Sequence, residues 1–588
     1  MTKESLLDRL SAEVGEAFAA EGLDAALGRV QRSGRKELPP FQCNGAMAAA
    51  KAAGKPPRVI AEAVAARLAE SSILTGVTIG GPGFLNFDLP QSVLVGALDA
   101  IAADDDKGAW QRVDPERIII DYGGPNVAKP LHVGHLRAAI IGECLKRLFR
   151  TVGDDVLGDI HLGDWGLQMG QLIAELKREQ PDLPYFAEAD EGPYPAESPV
   201  TVDDLARLYP KASAACKEDP ARLAEAQEAT VELQSGRPGY RALWQHFVDV
   251  SKAALEKDYG ELGVTFDLWK GEADVDPLIA PMVDELQAKG LLEESDGARV
   301  IRVAREDDKK EIPPLLVVKS NGSVGYGSTD LATIIERKRE LSADRVVYVV
   351  DARQREHFEQ VFRAADLAGY MSADRLEHMW FGTMNGTDGK PFKTRAGGVL
   401  RLRDLIDQVV SEATKRLDQG GMAQDVSPEE KQEIARRVGI AALKFADLSN
   451  PRTSDYVFDP ERFVTFEGKT GPYLQYATVR IRSVLQKAGS DGGDAPLIIE
   501  DPAEIDLALE LSLYADAVQG AYEKRMPHVL CDHAFTLAQA FSRFYANCRI
   551  GDEADGQRRS SRLRLSRITF EQLNSVLTVL GIPVPEKM

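Results

Sequence analysis

RIIIDYGGPNVAKPLHVGHLRAAIIGECLKRLFRTVG, residues 117–153, decides how this chain folds. Arg117 to Asp121 hold a continuous apolar run of the kind found in parallel strands buried on both faces. A glycine-bearing loop follows at 123–130. From Leu131 apolar residues recur at helical spacing to Gly153, which predicts an amphipathic helix. Strand, loop and helix form the opening unit of a doubly wound nucleotide-binding sheet. Neither GxxxxGK[ST] nor GxGxxG follows the strand, so P-loop and dinucleotide chemistry fall away.

The loop delivers His132-Val-Gly-His135 to the helix start. A helix N-terminus presents unpaired N–H groups and partial positive charge, so it holds anions. Two imidazoles three residues apart share a helical face and can donate hydrogen bonds to a triphosphate during transfer. Gly134 leaves room for a ring or a phosphate against the backbone. HxxH could also be half a metal site, but no third ligand at zinc spacing lies nearby.

Outward from this block, Asp155–Leu162 reads as the next strand, and strand signals return at 314–319, 345–351 and 377–384. Residues 180–240, rich in Pro, Ala, Asp and Glu, read as an inserted helical or loop segment. Beyond Leu400 the pattern is helical. Before the block, Ser5–Ala20 and Pro57–Ser71 carry helical periodicity, Val77–Leu89 alternates like a strand, and DDDKG at 104–108 marks a boundary. The expected class is α/β: a Rossmann-type parallel-sheet catalytic domain (109–420, with an insertion near 180–315), an α+β N-terminal domain (1–108) and an all-α C-terminal domain (421–588).

Composition narrows the classes further. A 588-residue chain, 44% hydrophobic and 28% charged, is globular and too long for one ordinary domain. It holds no run of about 18 apolar residues, so no membrane span is expected. The charged N-terminus lacks the apolar core of a signal peptide. Five scattered cysteines without a CxxC pair predict neither disulfides nor a thiolate metal site, and a cytoplasmic protein. The balance of 71 basic against 92 acidic residues, −21 net, argues against non-specific coating of nucleic acid. It leaves open an RNA partner on a locally basic face.

The block DYGGPNVAKPLHVGHLRAAIIGECL (121–145) resembles the signature of class I aminoacyl-tRNA synthetases, in the arginyl form, with His132, Gly134 and His135 on the HIGH tetrad. The likeness continues in order through HLGDWGLQMG (161–170), FDLWKGE (266–272), GYGSTDLA (325–332), VYVVDARQREHFEQ (347–360), GKPFKTRAGG (389–398), ALKFADLSNPRTSDYVFD (442–459), GPYLQYATVRIRSV (471–484) and the ending GIPVPEKM. The resemblance implies ATP-dependent attachment of L-arginine to tRNA(Arg) through an arginyl-adenylate, with transfer to the terminal ribose. It also implies Mg2+ arriving with ATP, arginine activation only with tRNA bound, a monomer and an anticodon-binding role for the C-terminal helices. A small-molecule nucleotidyltransferase would need neither those helices nor the N-terminal unit.

The resemblance also implies site residues. Glu272, Tyr326 and Asp330 match positions that contact the substrate side chain; paired carboxylates in fork geometry are the physical answer to a planar guanidinium. Asn126 and Gln354 match those that hold its α-amino and carboxylate end. Thr394 and Arg395 belong to the second phosphate loop, where the two consensus lysine positions fall on Pro391 and Thr394. Lys129 is the family's compensating lysine, with Lys390 and Lys393 as nearby substitutes. Phe84 and Asn86 match a D-loop reader, Tyr473, Tyr476 and Arg480 form one helical stripe of the anticodon-binding domain, and Met588 matches a position near the anticodon. Taken alone, Asp330 suits a helix N-cap before LATIIERK, Tyr473 and Tyr476 suit a core, and the five arginines of 558–567 suit either a phosphate track or a solvated loop. His528, Cys531 and His533 read as packing residues.

Overall fold

The computed structural model describes residues 4–35, 37–187, 192–390 and 400–588. At its centre lies a five-stranded sheet, every adjacent pair parallel, in the spatial order Leu376–His378, Arg345–Val349, Arg117–Tyr122, Asp155–Leu162, Leu268–Gly271. Chain order runs outward from Arg117–Tyr122 in one direction and then restarts beside it with Arg345–Val349. The strand order therefore reverses between those two strands, and ligands in such sheets bind beyond the carboxyl ends at that point.

Both faces of the opening strand are covered, as its unbroken apolar run requires. Ile118, Ile120 and Tyr122 pack toward the helix Val133–Thr151, whereas Ile119 packs with the helices Glu272–Ala288, Tyr326–Arg339 and Arg355–Leu367. Each such isoleucine removed from water contributes roughly 1.5–3 kcal/mol. On the second face the guanidinium of Arg337, wholly buried, bridges Asp121 at 2.5 Å and Asp159 at 2.7 Å. That ties the helix Tyr326–Arg339 to two neighbouring strands.

Within 180–240, the helices Val202–Glu218, Pro220–Gln234 and the start of Pro238–Glu261 pack on the helix Leu167–Glu179. A small antiparallel sheet of Glu293–Ser295, Ala298–Ile301 and Leu315–Val318 precedes the helix Tyr326–Arg339.

The N-terminal unit is a four-stranded antiparallel sheet under three helices, and its core includes Leu509 and Leu513 from the C-terminal region. The single strand expected at Val77–Leu89 is a hairpin, Thr75–Gly80 paired with Phe84–Asp88. Gly81 (φ +50°) and Gly83 (φ +154°) supply the backbone angles that turn the chain between them.

The C-terminal helices share one continuous core with the catalytic sheet: Leu136 and Leu145 belong to the same cluster as Leu443, Cys531 and Leu573. The arginines at 558–567 correct a second expectation. They lie in the helix Gly556–Val579, not in a solvated loop. Arg562 bonds Glu504 and Glu553, and Arg564 pairs with Asp99, so the charge of these two is met within the protein. No described helix is long and apolar enough to cross a membrane.

Candidate active site

His132 is the N-cap of the helix Val133–Thr151. Its Nδ1 accepts the Gly134 backbone N–H at 3.0 Å, and His135 Nδ1 accepts the His132 N–H at 3.2 Å. With each Nδ1 acting as acceptor, each neutral ring carries its proton on Nε2. The two rings lie 3.9 Å apart, tilted by 31°. Burial, aided by the neighbouring His132 and Lys129, pushes the His135 pKa down to about 3; burial also lowers that of His132. At neutral pH the pair is thus two uncharged N–H donors at a helix N-terminus. Gly134 is glycine for a local reason: a Cβ there would stand 2.7 Å from the His132 ring. The space expected for a phosphate is taken by the imidazole beside it.

Lys129 is half-buried, its amine 4.8 Å from the centre of the Tyr209 ring and close enough to both histidines to oppose their protonation. The chain leaving the second phosphate loop returns to this motif. Val133 N–H donates to Leu400 O at 3.1 Å and Leu402 N–H to Leu131 O at 3.0 Å, which pairs His132 with Arg401. Lys390, exposed, lies at the other end of that loop. Lys393, Thr394 and Arg395 lie outside the described residues.

The carboxyl ends of the strands gather the remaining groups. Asn126, in the loop after Arg117–Tyr122, bridges to Gly163 after the next strand. Glu272 follows the third strand directly, as the first residue of its helix. Gln354 lies in the short turn after Arg345–Val349, exposed. Asp330 is inside the helix Tyr326–Arg339, whose N-cap is Gly325, so it does not cap that helix. Tyr326 opens the same helix and is 78% exposed, free to close over a ligand. Burial raises the Glu272 pKa, and the nearby Asp330 charge raises it further. The Glu272 and Asp330 carboxylates thus lie near enough to interact electrostatically.

Three groups escaped the sequence reading. Asp164 of GDWG accepts the Ala273 N–H at 3.1 Å and so holds the helix start that carries Glu272; burial pushes its pKa up to about 7. His161 lies close enough to Asp159, Asp164 and Glu272 to oppose in part the rise that burial imposes on each. His357 contacts Asp330. All three lie in quoted blocks, Asp164 and His161 in HLGDWGLQMG and His357 in VYVVDARQREHFEQ.

The RNA-directed residues are scattered over the other units. Phe84 is half-buried and Asn86 buried, its amide oxygen taken by Gln42 Nε2 at 2.8 Å. Tyr473 packs edge-on against Phe535 at 5.6 Å, whereas Tyr476 is exposed and Arg480 lies over the Tyr545 ring at 4.4 Å. Met588 is half-buried against the common core. His533 and Cys531 are buried.

A doubly wound parallel sheet with an HxGH helix start at its reversal point, followed by a helical body, is the architecture of class I tRNA synthetases. Residues 97–460 match the model of the class I (R) tRNA synthetase catalytic domain, residues 474–588 the DALR anticodon binding domain and residues 4–89 the arginyl tRNA synthetase N-terminal domain. The chain is 54% identical over 587 residues to the arginine–tRNA ligase of Hyphomonas neptunium, covering 99% of this chain and 100% of the relative. It is 53% identical over 588 residues to that of Maricaulis maris, with the same coverage. The crystal structure of Plasmodium falciparum arginyl-tRNA synthetase shares the fold, with a TM-score of 0.85 at 24% identity over 100% of both chains. The chain belongs to the arginyl-tRNA synthetase family.

Proposed function

We propose that this chain attaches L-arginine to tRNA(Arg) at the cost of ATP. The observation that carries the substrate choice is the electrostatic proximity of Glu272, directly after the strand Leu268–Gly271, to Asp330. Lysine, a point charge, cannot satisfy two carboxylates in fork geometry, and the unpaired partner penalises it.

ATP enters with Mg2+ on its phosphates and lays them across the start of the helix Val133–Thr151. Asn126 and Gln354 hold the amino-acid end of arginine. Its α-carboxylate then attacks the α-phosphorus in line, forming the carboxyl–phosphate anhydride as the bond to pyrophosphate breaks. His132 and His135 donate Nε2–H bonds to phosphate oxygens as charge shifts toward the leaving group. Lys129, with Lys390, Lys393, Thr394 and Arg395 on the second loop, neutralises that charge. The 2′-hydroxyl of the tRNA terminal ribose next attacks the arginyl carbonyl and AMP leaves. No protein nucleophile takes part.

On the RNA side, Tyr476, Arg480 and Met588 with Tyr473 behind them form the anticodon face, and the half-buried Phe84 the D-loop face, with Asn86 buried behind it. The protein works as a monomer in the cytoplasm; its five unpaired cysteines suit a reducing compartment. Pyrophosphate exchange with each amino acid, with and without tRNA, tests the proposal. Exchange with arginine only when tRNA is present supports it; exchange with lysine or glutamine, or none with arginine, ends it.

A further inference from the structure

Asp330 does not stand alone on its helix. His357 Nε2 lies 2.5 Å from Asp330 Oδ2, across from the helix Arg355–Leu367. Asp330 Oδ1 takes no hydrogen bond from any described residue. The imidazole is itself held: its ring meets Phe358 edge-on at 5.5 Å, and Phe358 packs on Tyr348 of the central sheet at 4.8 Å. Gln354, the N-cap of the same helix, lies one turn before His357. One helix start thus presents two side chains toward the amino-acid region.

The contact answers a physical difficulty of the empty pocket. Glu272 and Asp330 repel each other, and a half-exposed carboxylate facing a like charge turns toward water. We infer that His357 is a positioning residue for arginine recognition: by holding Asp330 Oδ2 it fixes the carboxylate plane and leaves Oδ1 to receive the guanidinium. The inference rests on the placement of Asp330 in the arginine pocket. The hydrogen bond to Asp330 also raises the His357 pKa.

Arginine-dependent pyrophosphate exchange by the full-length protein with tRNA present tests this. His357→Ala is expected to raise KM for arginine about tenfold while kcat and KM for ATP stay within about twofold of wild type. His357→Gln, which keeps an N–H donor, is expected to remain within about threefold of wild type in every constant. Asp330→Asn serves as the control for the pocket. If Asp330→Asn raises KM for arginine but His357→Ala does not, the inference alone is overturned. Unchanged constants in both variants overturn the inference together with the pocket assignment. A uniform loss of kcat and of both KM values in His357→Ala, not restored by His357→Gln, marks a merely structural residue and also overturns it.

Discussion

Arg137 Nε donates to Asp447 Oδ2 at 3.0 Å, joining the helix that carries the HxGH histidines to the C-terminal helix Pro428–Leu448. Both groups are buried, the same Asp447 oxygen accepts the Tyr456 hydroxyl at 3.0 Å, and Arg137 Nη1 donates to Ser454 O at 3.1 Å. The phosphate-facing helix is therefore clamped between the sheet and the helical body. Asp447→Ala would strand a buried guanidinium and is expected to cost about 3–5 kcal/mol in denaturant unfolding. A loss below roughly 1 kcal/mol would show that the clamp is dispensable.

Removing a donor used only as charge develops should slow the chemical step and spare ground-state binding. His135→Ala is expected to lower kcat of arginine activation by about 10²–10³ with KM for arginine within about twofold. Raised KM at unchanged kcat would refute the role. Because burial pushes the His135 pKa down to about 3, that ring should contribute no ionisation near pH 6.5 to the rate profile.

Glu272→Gln keeps the shape of the pocket and removes half of its charge. KM for arginine is expected to rise by roughly 10–100-fold, the equivalent of one charge-assisted hydrogen bond. An unchanged KM in steady-state aminoacylation would remove Glu272 from the pocket.

Burial pushes the His533 pKa from an ordinary 6.5 down to about 4, with its ring stacked on Tyr514. The unfolded chain therefore binds a proton that the folded chain refuses, and stability falls as pH drops from above 6.5 toward 4. Between pH 7 and pH 5 this one group should cost about 2 kcal/mol. His533→Gln should be less acid-sensitive than wild type by that amount, measured by urea unfolding at the two pH values. Equal acid sensitivity of both proteins would contradict the shift.

Tyr473 and Tyr476 should separate by readout. Tyr476→Ala is expected to raise KM for tRNA about tenfold through a lost stacking platform, with stability unchanged. Tyr473→Ala is expected to destabilise the fold by about 2–3 kcal/mol, since its ring packs on Phe535. The reverse pattern would reverse their roles.

Some features are legible residue by residue. The run Ile118–Ile120 demands cover on both faces, and the spacing of Leu136, Ile140 and Cys144 demands a helix against it. The hairpin at Thr75–Asp88 was missed although Gly80, Gly81 and Gly83 were visible, because alternation carries straight across a tight turn. The arginines of 558–567 read as either a phosphate track or a solvated loop; Asp99 and Glu504, which pair with Arg564 and Arg562, are remote in the chain.

By itself the sequence determined the strand, the helix that follows it, the histidines at its start and the kinship those residues announce. These depend on local periodicity and on side-chain types at short spacing. Only the tertiary structure decided that burial keeps His132 and His135 uncharged, that Asp330 lies near Glu272 and contacts His357, and that the C-terminal helices share the catalytic core. Each of those follows from burial and from partners brought together across the fold, and burial, which sets the energy of a charge or a hydrogen bond, is a property of the packed chain.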